Sequence, residues 1–176
     1  MEIIELPHKI VLLLDELSAS KRLRKHLQIV YSTAYKLTEM MTSEWPDLKF
    51  NRDLILFGAG THEIGKSLII NELYEKGKNH EMRGKLILEN LGFKKEESRF
   101  ALTHGNWTDC HLIEDLIVCL SDKIWKGKRV LGLEEKVCKT ISGELNIDFW
   151  EVYIKLDEIL SNLSNNSDEL ILWQNE

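Results

Sequence analysis

The chain has 176 residues, 43% hydrophobic and 30% charged, with 10 Gly, 2 Pro and a net charge of −6. That length suits one globular domain with a core large enough to fold without staples, and the composition excludes collagen-like, low-complexity and wholly disordered chains. The acidic balance excludes general nucleic-acid binding as the main role, because such binding needs clustered Lys and Arg to displace counterions.

The periodicity predicts helices throughout. Ile10, Leu13, Leu14 and Leu17 mark a helical face over about 7–16. Ser18 or Ser20 can cap a second helix carrying Leu23, Leu27, Val30, Ala34, Leu37 and Met41, which Pro46 ends. Asn51 or Asp53 opens a third helix, apolar nearly all round as far as His62 and therefore expected to be buried centrally. Gly77 and Lys78 read as loop. Further helices are predicted over about 80–91, 96–104, 111–125, 131–143 and 147–163, with Lys126-Gly-Lys as a helix stop. No period-2 strand pattern, repeat or domain boundary stands out. The expectation is a single-domain all-α helical bundle over 1–164, followed by a polar break and a short tail over 165–176.

Three cysteines (Cys110, Cys119, Cys138) without a C-x-x-C pair suggest neither a disulfide framework nor a zinc knuckle. The start lacks the basic n-region of a signal peptide, and the apolar run Ile10–Leu14 is far too short to span a bilayer. A soluble, cytoplasmic protein with no membrane partner is expected.

The informative feature is where the six histidines fall. His62, His80 and His104 sit beside acidic or glycine residues at helix ends, His26 lies early in the second helix, and Asp122 follows in the 111–125 segment. Imidazole and carboxylate together suit Mn, Fe, Co, Ni or Zn better than Mg. Taken singly, each has a plainer reading. His26 follows the basic run Lys21, Arg22, Arg24, Lys25 and reads as a solvated helix residue; Asp122 reads as a surface charge. A core His62 would leave Glu63 as a buried carboxylate without a partner, which is costly. His8 and His111 are read as surface and helix-start residues. Trp107 and Trp125 fit either the core or a stack on a base.

The order His26, then Thr61-His62-Glu63-Ile64-Gly65-Lys66, His80-Glu-Met-Arg-Gly84, His104 and Ser121-Asp122-Lys123 resembles the HD-domain superfamily of metal-dependent phosphohydrolases, over about residues 20–130. The doublet here is His62-Glu63 where that family has His-Asp. The resemblance implies an all-α bundle and one or two divalent transition ions. His26, His62, Glu63 and Asp122 would form the core metal site, and His80 and His104 would hold a second ion. It also implies hydrolysis of a nucleotide or related small phosphate ester by a metal-activated water. His62, Glu63, Asp122 and Lys66 would be the catalytic group; Lys66 is expected on the face of His62 by its four-residue spacing. Lys66, Arg83, Lys123 and Arg129 would meet the phosphorylated substrate, with Lys126 and Lys128 adding local charge. The longer Glu63 arm keeps an alternative in view, an HD domain that senses a phosphorylated ligand without turnover. A homo-oligomer is compatible with the sequence.

Overall fold

The computed structural model describes residues 2–75 and 77–176. Among these, ten α-helices and three short 3₁₀ turns form the chain, with no strand. The helices are α1 His8–Glu16, α2 Lys21–Glu44, α3 Arg52–Thr61, α4 Asn79–Asn90, α5 Lys95–Ser98, α6 Phe100–Thr103, α7 Ile113–Ile124, α8 Leu131–Leu145, α9 Phe149–Ser164 and α10 Ser167–Asn175.

Local chemistry sets the helix starts. The Ser20 hydroxyl accepts from the Leu23 N–H, so Ser20 rather than Ser18 caps α2. The Asn51 side chain likewise accepts from Leu54 N–H, and Asp148 accepts from the N–H groups of Trp150 and Glu151 at the start of α9. Two stops use left-handed backbone. Gly127 (φ 68°) ends the α7 segment just past Trp125, and Asn146 (φ 53°) ends α8.

Helices α2, α3 and α7 pack on one another at the centre. Val30, Ala34 and Leu37 of α2, Ile55 and Ala59 of α3, and Leu116, Ile117 and Leu120 of α7 are buried there. Full burial of each large aliphatic side chain contributes about 1.5–3 kcal/mol before conformational entropy is charged against it. The α8–α9 pair covers one side of this layer through Val137, Ile141, Val152, Leu156 and Leu160. On the other side Ile10 and Leu14 of α1 join Leu23, Ile64 and Leu88 in a smaller cluster.

The structure departs from the sequence reading in three places. The 96–104 helix is two short helices that meet at Arg99. The stretch between His62 and Gly77 holds 3₁₀ turns at Ile64–Ser67 and Ile70–Leu73. The C-terminal tail is a helix, α10, folded back on α2; Leu170 is buried beneath it, which periodicity over so short a segment does not reveal. No helix among the described residues is long and apolar enough to cross a membrane.

Candidate metal centre

The chain brings six separated residues into one buried cluster. His26 comes from the second turn of α2, His62 and Glu63 from the turn after α3, His80 from the start of α4, His104 from the end of α6 and Asp122 from the last turn of α7. Two close approaches make this convergence possible. A Cβ on Gly65 would fall on the His80 carbonyl, so only glycine lets the His62–Glu63 turn lie against α4. A Cβ on Gly58 would enter the Phe100 ring, so glycine also lets α3 meet the helix that carries His104.

The six side chains divide into two donor trios, His26–His62–Asp122 and Glu63–His80–His104. In the first, His26 Nε2 lies 3.3 Å from His62 Nε2 and 3.4 Å from Asp122 Oδ1; His62 Nε2 lies 3.8 Å from the same oxygen. In the second, His80 Nε2 and His104 Nε2 are 3.4 Å apart. Glu63 stands between them: Oε2 is 3.2 Å from His26 Nε2, and Oε1 is 4.0 Å from His104 Nε2.

The outer nitrogens fix the tautomers. His62 Nδ1 donates to the Ala59 carbonyl at 3.0 Å, and His104 Nδ1 to the carbonyls of Phe100 and Ala101, each at 3.1 Å. His80 Nδ1 donates to Glu72 Oε2 at 2.6 Å. An imidazole that is neutral and protonated at Nδ1 turns a lone pair out at Nε2. In the second trio the Nε2 atoms of His80 and His104 face each other, each with its Nδ1 turned to an outer acceptor, and a cation could take both nitrogens as donors. The donor set of imidazole nitrogens and carboxylate oxygens, with outer acceptors orienting the rings, therefore fits a divalent transition ion.

Protonation states agree with that fit. Burial pushes His26 down to about 4, against the raising effect of Glu63 and Asp122. Burial, with help from His62, pushes His104 down to about 3. Both rings are thus neutral at neutral pH, the form in which imidazole can ligate a metal. Burial would raise Asp122, but His62, Lys126, Lys123 and His26 outweigh it and hold the carboxyl well below its usual range. Glu63 is also lowered, burial being overcome by His26, His62 and Lys66. Burial opposes ionisation of Glu72 too, yet hydrogen bonds from the His80 and Asn79 backbone and side chains hold it down to about 2.

The cationic residues fall into two groups. Lys66 Nζ sits 2.6 Å from Glu63 Oε1; Lys123 and Lys126 sit 2.6 and 3.2 Å from the two oxygens of Asp122. Lys66 reaches the cluster through the 3₁₀ turn, not by the helical four-residue step expected, because α3 ends at Thr61. It also supplies Glu63 with the partner that the sequence argument supposed absent. Arg83 and Arg129 lie elsewhere. Arg83 is exposed on α4 and lines neither cavity beside the histidines. Arg129 is committed to Glu134, at 2.7 Å, and to Asp157. Exposed Lys128 is one residue past the helix stop.

Trp125 is 2% exposed and tilts against the His26 ring at 5.7 Å, so its ring is part of the core; Trp107 is half-buried and packs over Gly132, outside both cavities beside the histidines. His8 and His111 are exposed, and the three cysteines are buried free thiols. Sequence reasoning missed Glu72, whose role emerges only when the 3₁₀ turn and the start of α4 are brought together. A carboxylate eight residues before a histidine has no fixed spatial meaning in a loop.

An all-helical domain that converges on a buried histidine–carboxylate cluster has the donor set of a metal-binding helical fold. The chain belongs to the HD-domain family, whose model matches residues 23–125, more than half of the sequence. No curated protein and no solved structure matches the chain. The matched segment begins before His26 and ends after Asp122, so it contains all six donors.

Proposed function

We propose that the protein is a divalent-metal-dependent phosphohydrolase acting on a nucleotide or a related small phosphate ester. The observation that carries this reading is the pair of imidazole Nε2 atoms of His80 and His104, which face each other 3.4 Å apart in the trio completed by Glu63, beside the trio of His26, His62 and Asp122. Two ions held by these trios would act as Lewis acids, lowering the pKa of a water and neutralising charge on the phosphoryl oxygens. The protein's own contribution is to fix the donors. Helices α2 and α7 hold His26 and Asp122 in the packed core, carbonyls and Glu72 orient the other three rings, and Lys66, Lys123 and Lys126 surround the cluster with positive charge. Those amines draw a dianionic phosphate toward an otherwise acidic protein and can pair with its peripheral oxygens.

A ligand-sensing domain is the second reading, favoured by the 2.6 Å pair between Lys66 and Glu63. A lysine on the carboxylate that links the trios competes with a cation for that oxygen.

Elemental analysis by inductively coupled plasma mass spectrometry, on protein purified without chelator or nickel resin, tests the proposal together with a phosphatase assay in Mn, Fe, Co, Ni and Zn. Two ions per chain and hydrolysis of a phosphate ester are the expected outcome. Protein that takes up no ion after reconstitution would overturn it. Stoichiometric metal with no turnover on nucleotides, cyclic dinucleotides or p-nitrophenyl phosphate would favour the sensor.

A further inference from the structure

The cluster opens onto two cavities of different chemistry. One, of about 560 Å³, is polar: it is lined by Glu72, Glu75, Lys78, Glu81 and Lys123 beside His80 and His104. The other, of about 330 Å³, lies beside His26, Glu63 and Lys66, and its outer wall is mixed. Leu73 contributes apolar surface above the buried Leu23, Arg22 a guanidinium, and α10 contributes Ile171, Gln174 and Asn175. Both volumes are of the size that takes a small organic ligand.

Helix α10 is held in place by the basic start of α2. Lys25 Nζ donates to the Trp173 carbonyl at 2.6 Å and lies 4.7 Å from the centre of its ring. Lys21 donates to the Glu176 carbonyl at 3.0 Å, and Arg22 donates to Asn175 Oδ1. Cations thus satisfy the carbonyl end of α10, where the helix dipole favours them. Asn175 is fully engaged, since its Nδ2 donates back to Ile171. Gln174 is not: its carboxamide makes no hydrogen bond among the described residues, although it lines the cavity. The buried indole N–H of Trp125, another lining residue, also has no acceptor. A buried polar group without a partner, such as this indole N–H, is uncommon unless a ligand or water completes it, and the half-buried Gln174 carboxamide is free to meet a ligand.

We infer that α10 is the specificity wall of this site. On the phosphohydrolase reading, on which this rests, the phosphate sits at the metal trios and the organic group lies in the mixed cavity against α10. There the Gln174 carboxamide, able to donate and accept, reads a hydrogen-bonding heterocycle such as a nucleobase, and Ile171 and Leu73 cover its apolar faces. The cavity beside His80 and His104, lined by charged residues, is left for water.

The test is isothermal titration of the Mn-loaded full chain with inorganic phosphate and with AMP, GMP, CMP and UMP. The parent protein is expected to bind at least one nucleotide tenfold or more tighter than phosphate. In Gln174→Ala that margin collapses to within about twofold, while Leu172→Ala, on the outer face of the same helix and 67% exposed, retains it. A parent protein with no such margin, a margin that survives Gln174→Ala, or its loss in Leu172→Ala as well would each overturn the inference. Metal content and p-nitrophenyl phosphate hydrolysis of the parent protein judge the enzymatic reading separately. Hydrolysis without a nucleotide margin sinks only the α10 assignment, and a Gln174-dependent margin without hydrolysis sinks only the phosphohydrolase.

Discussion

The two donor trios are built on different foundations. His26 and Asp122 project from long helices whose neighbours, Leu23, Leu27, Val118 and Leu120, are almost fully buried. Their positions are set by the main core. Glu63, His80 and His104 come from a turn, a helix start and a four-residue helix, and depend on local devices: Gly65 against α4, Gly58 against Phe100, and Glu72 behind His80. Two of the first trio's three donors are thus held by the main core, and only His62 shares the turn that carries Glu63. The second trio is stiff only if each small contact is made, so substitutions should separate them.

The largest effect is expected from His62→Ala, which removes a donor from the first trio. Loss of an outer partner alone typically costs 10–100-fold in metal affinity, so loss of a donor should exceed about 100-fold and leave the purified protein without stoichiometric metal at that trio by mass spectrometry. Gly65→Ala comes next. The added methyl meets the backbone of His80 rather than a movable side chain, and destabilisation of about 3 kcal/mol is expected, read as a lower denaturation midpoint in urea. If the comparison is right, metal retained by the folded fraction will be depleted in the second trio first.

Glu72→Gln should be more selective. It removes the charge that orients His80 but keeps a group of similar shape, and about a tenfold loss of metal affinity is expected at the second trio with the first unchanged. Equal loss at both would show that the trios are not independent in their supports. A smaller effect should follow pH in the metal-free protein. His26 and His104 are pushed below the ordinary histidine value of 6.5 to about 4 and 3. Between pH 6.5 and 4 the unfolded chain therefore binds protons that the native state refuses, and stability falls as pH falls. Thermal melts at pH 7.5, 6 and 5 check this sign; a metal-loaded sample should lose its extra stability over the same range, as protons compete for the imidazoles. The smallest effect belongs to Arg83→Ala, an exposed change expected to lie within about 0.5 kcal/mol in stability and to leave phosphatase activity at the parent level.

The same contrast explains what could be read in advance. The helices that carry the first trio announce themselves through three- and four-residue apolar spacing, and their limits fall within a few residues of those expected. The order of the histidines and Asp122 pointed to the family whose model the chain matches. The region between His62 and His80 was not legible, because a 3₁₀ turn has no amphipathic signature and its geometry is set by what it packs against. For that reason Lys66 was given a helical step it does not take, and Glu72 was overlooked. Arg129 failed for another reason. Its proximity in sequence to Asp122 suggested a place at the cluster, but Gly127 turns the chain away and the guanidinium meets the nearly inaccessible Glu134 instead.

Glu63 has one oxygen toward each trio, which ties the two occupancies into a single thermodynamic account. A carboxylate drawn toward one cation is no longer equally disposed toward the other, so filling either position must change the affinity of its neighbour, and by reciprocity both must feel the same coupling free energy. Lys66 already holds one end of that carboxylate and stands as a third claimant. The metal-binding isotherm of this protein should therefore not decompose into two independent hyperbolas, and its departure from them measures how strongly a single side chain couples the pair.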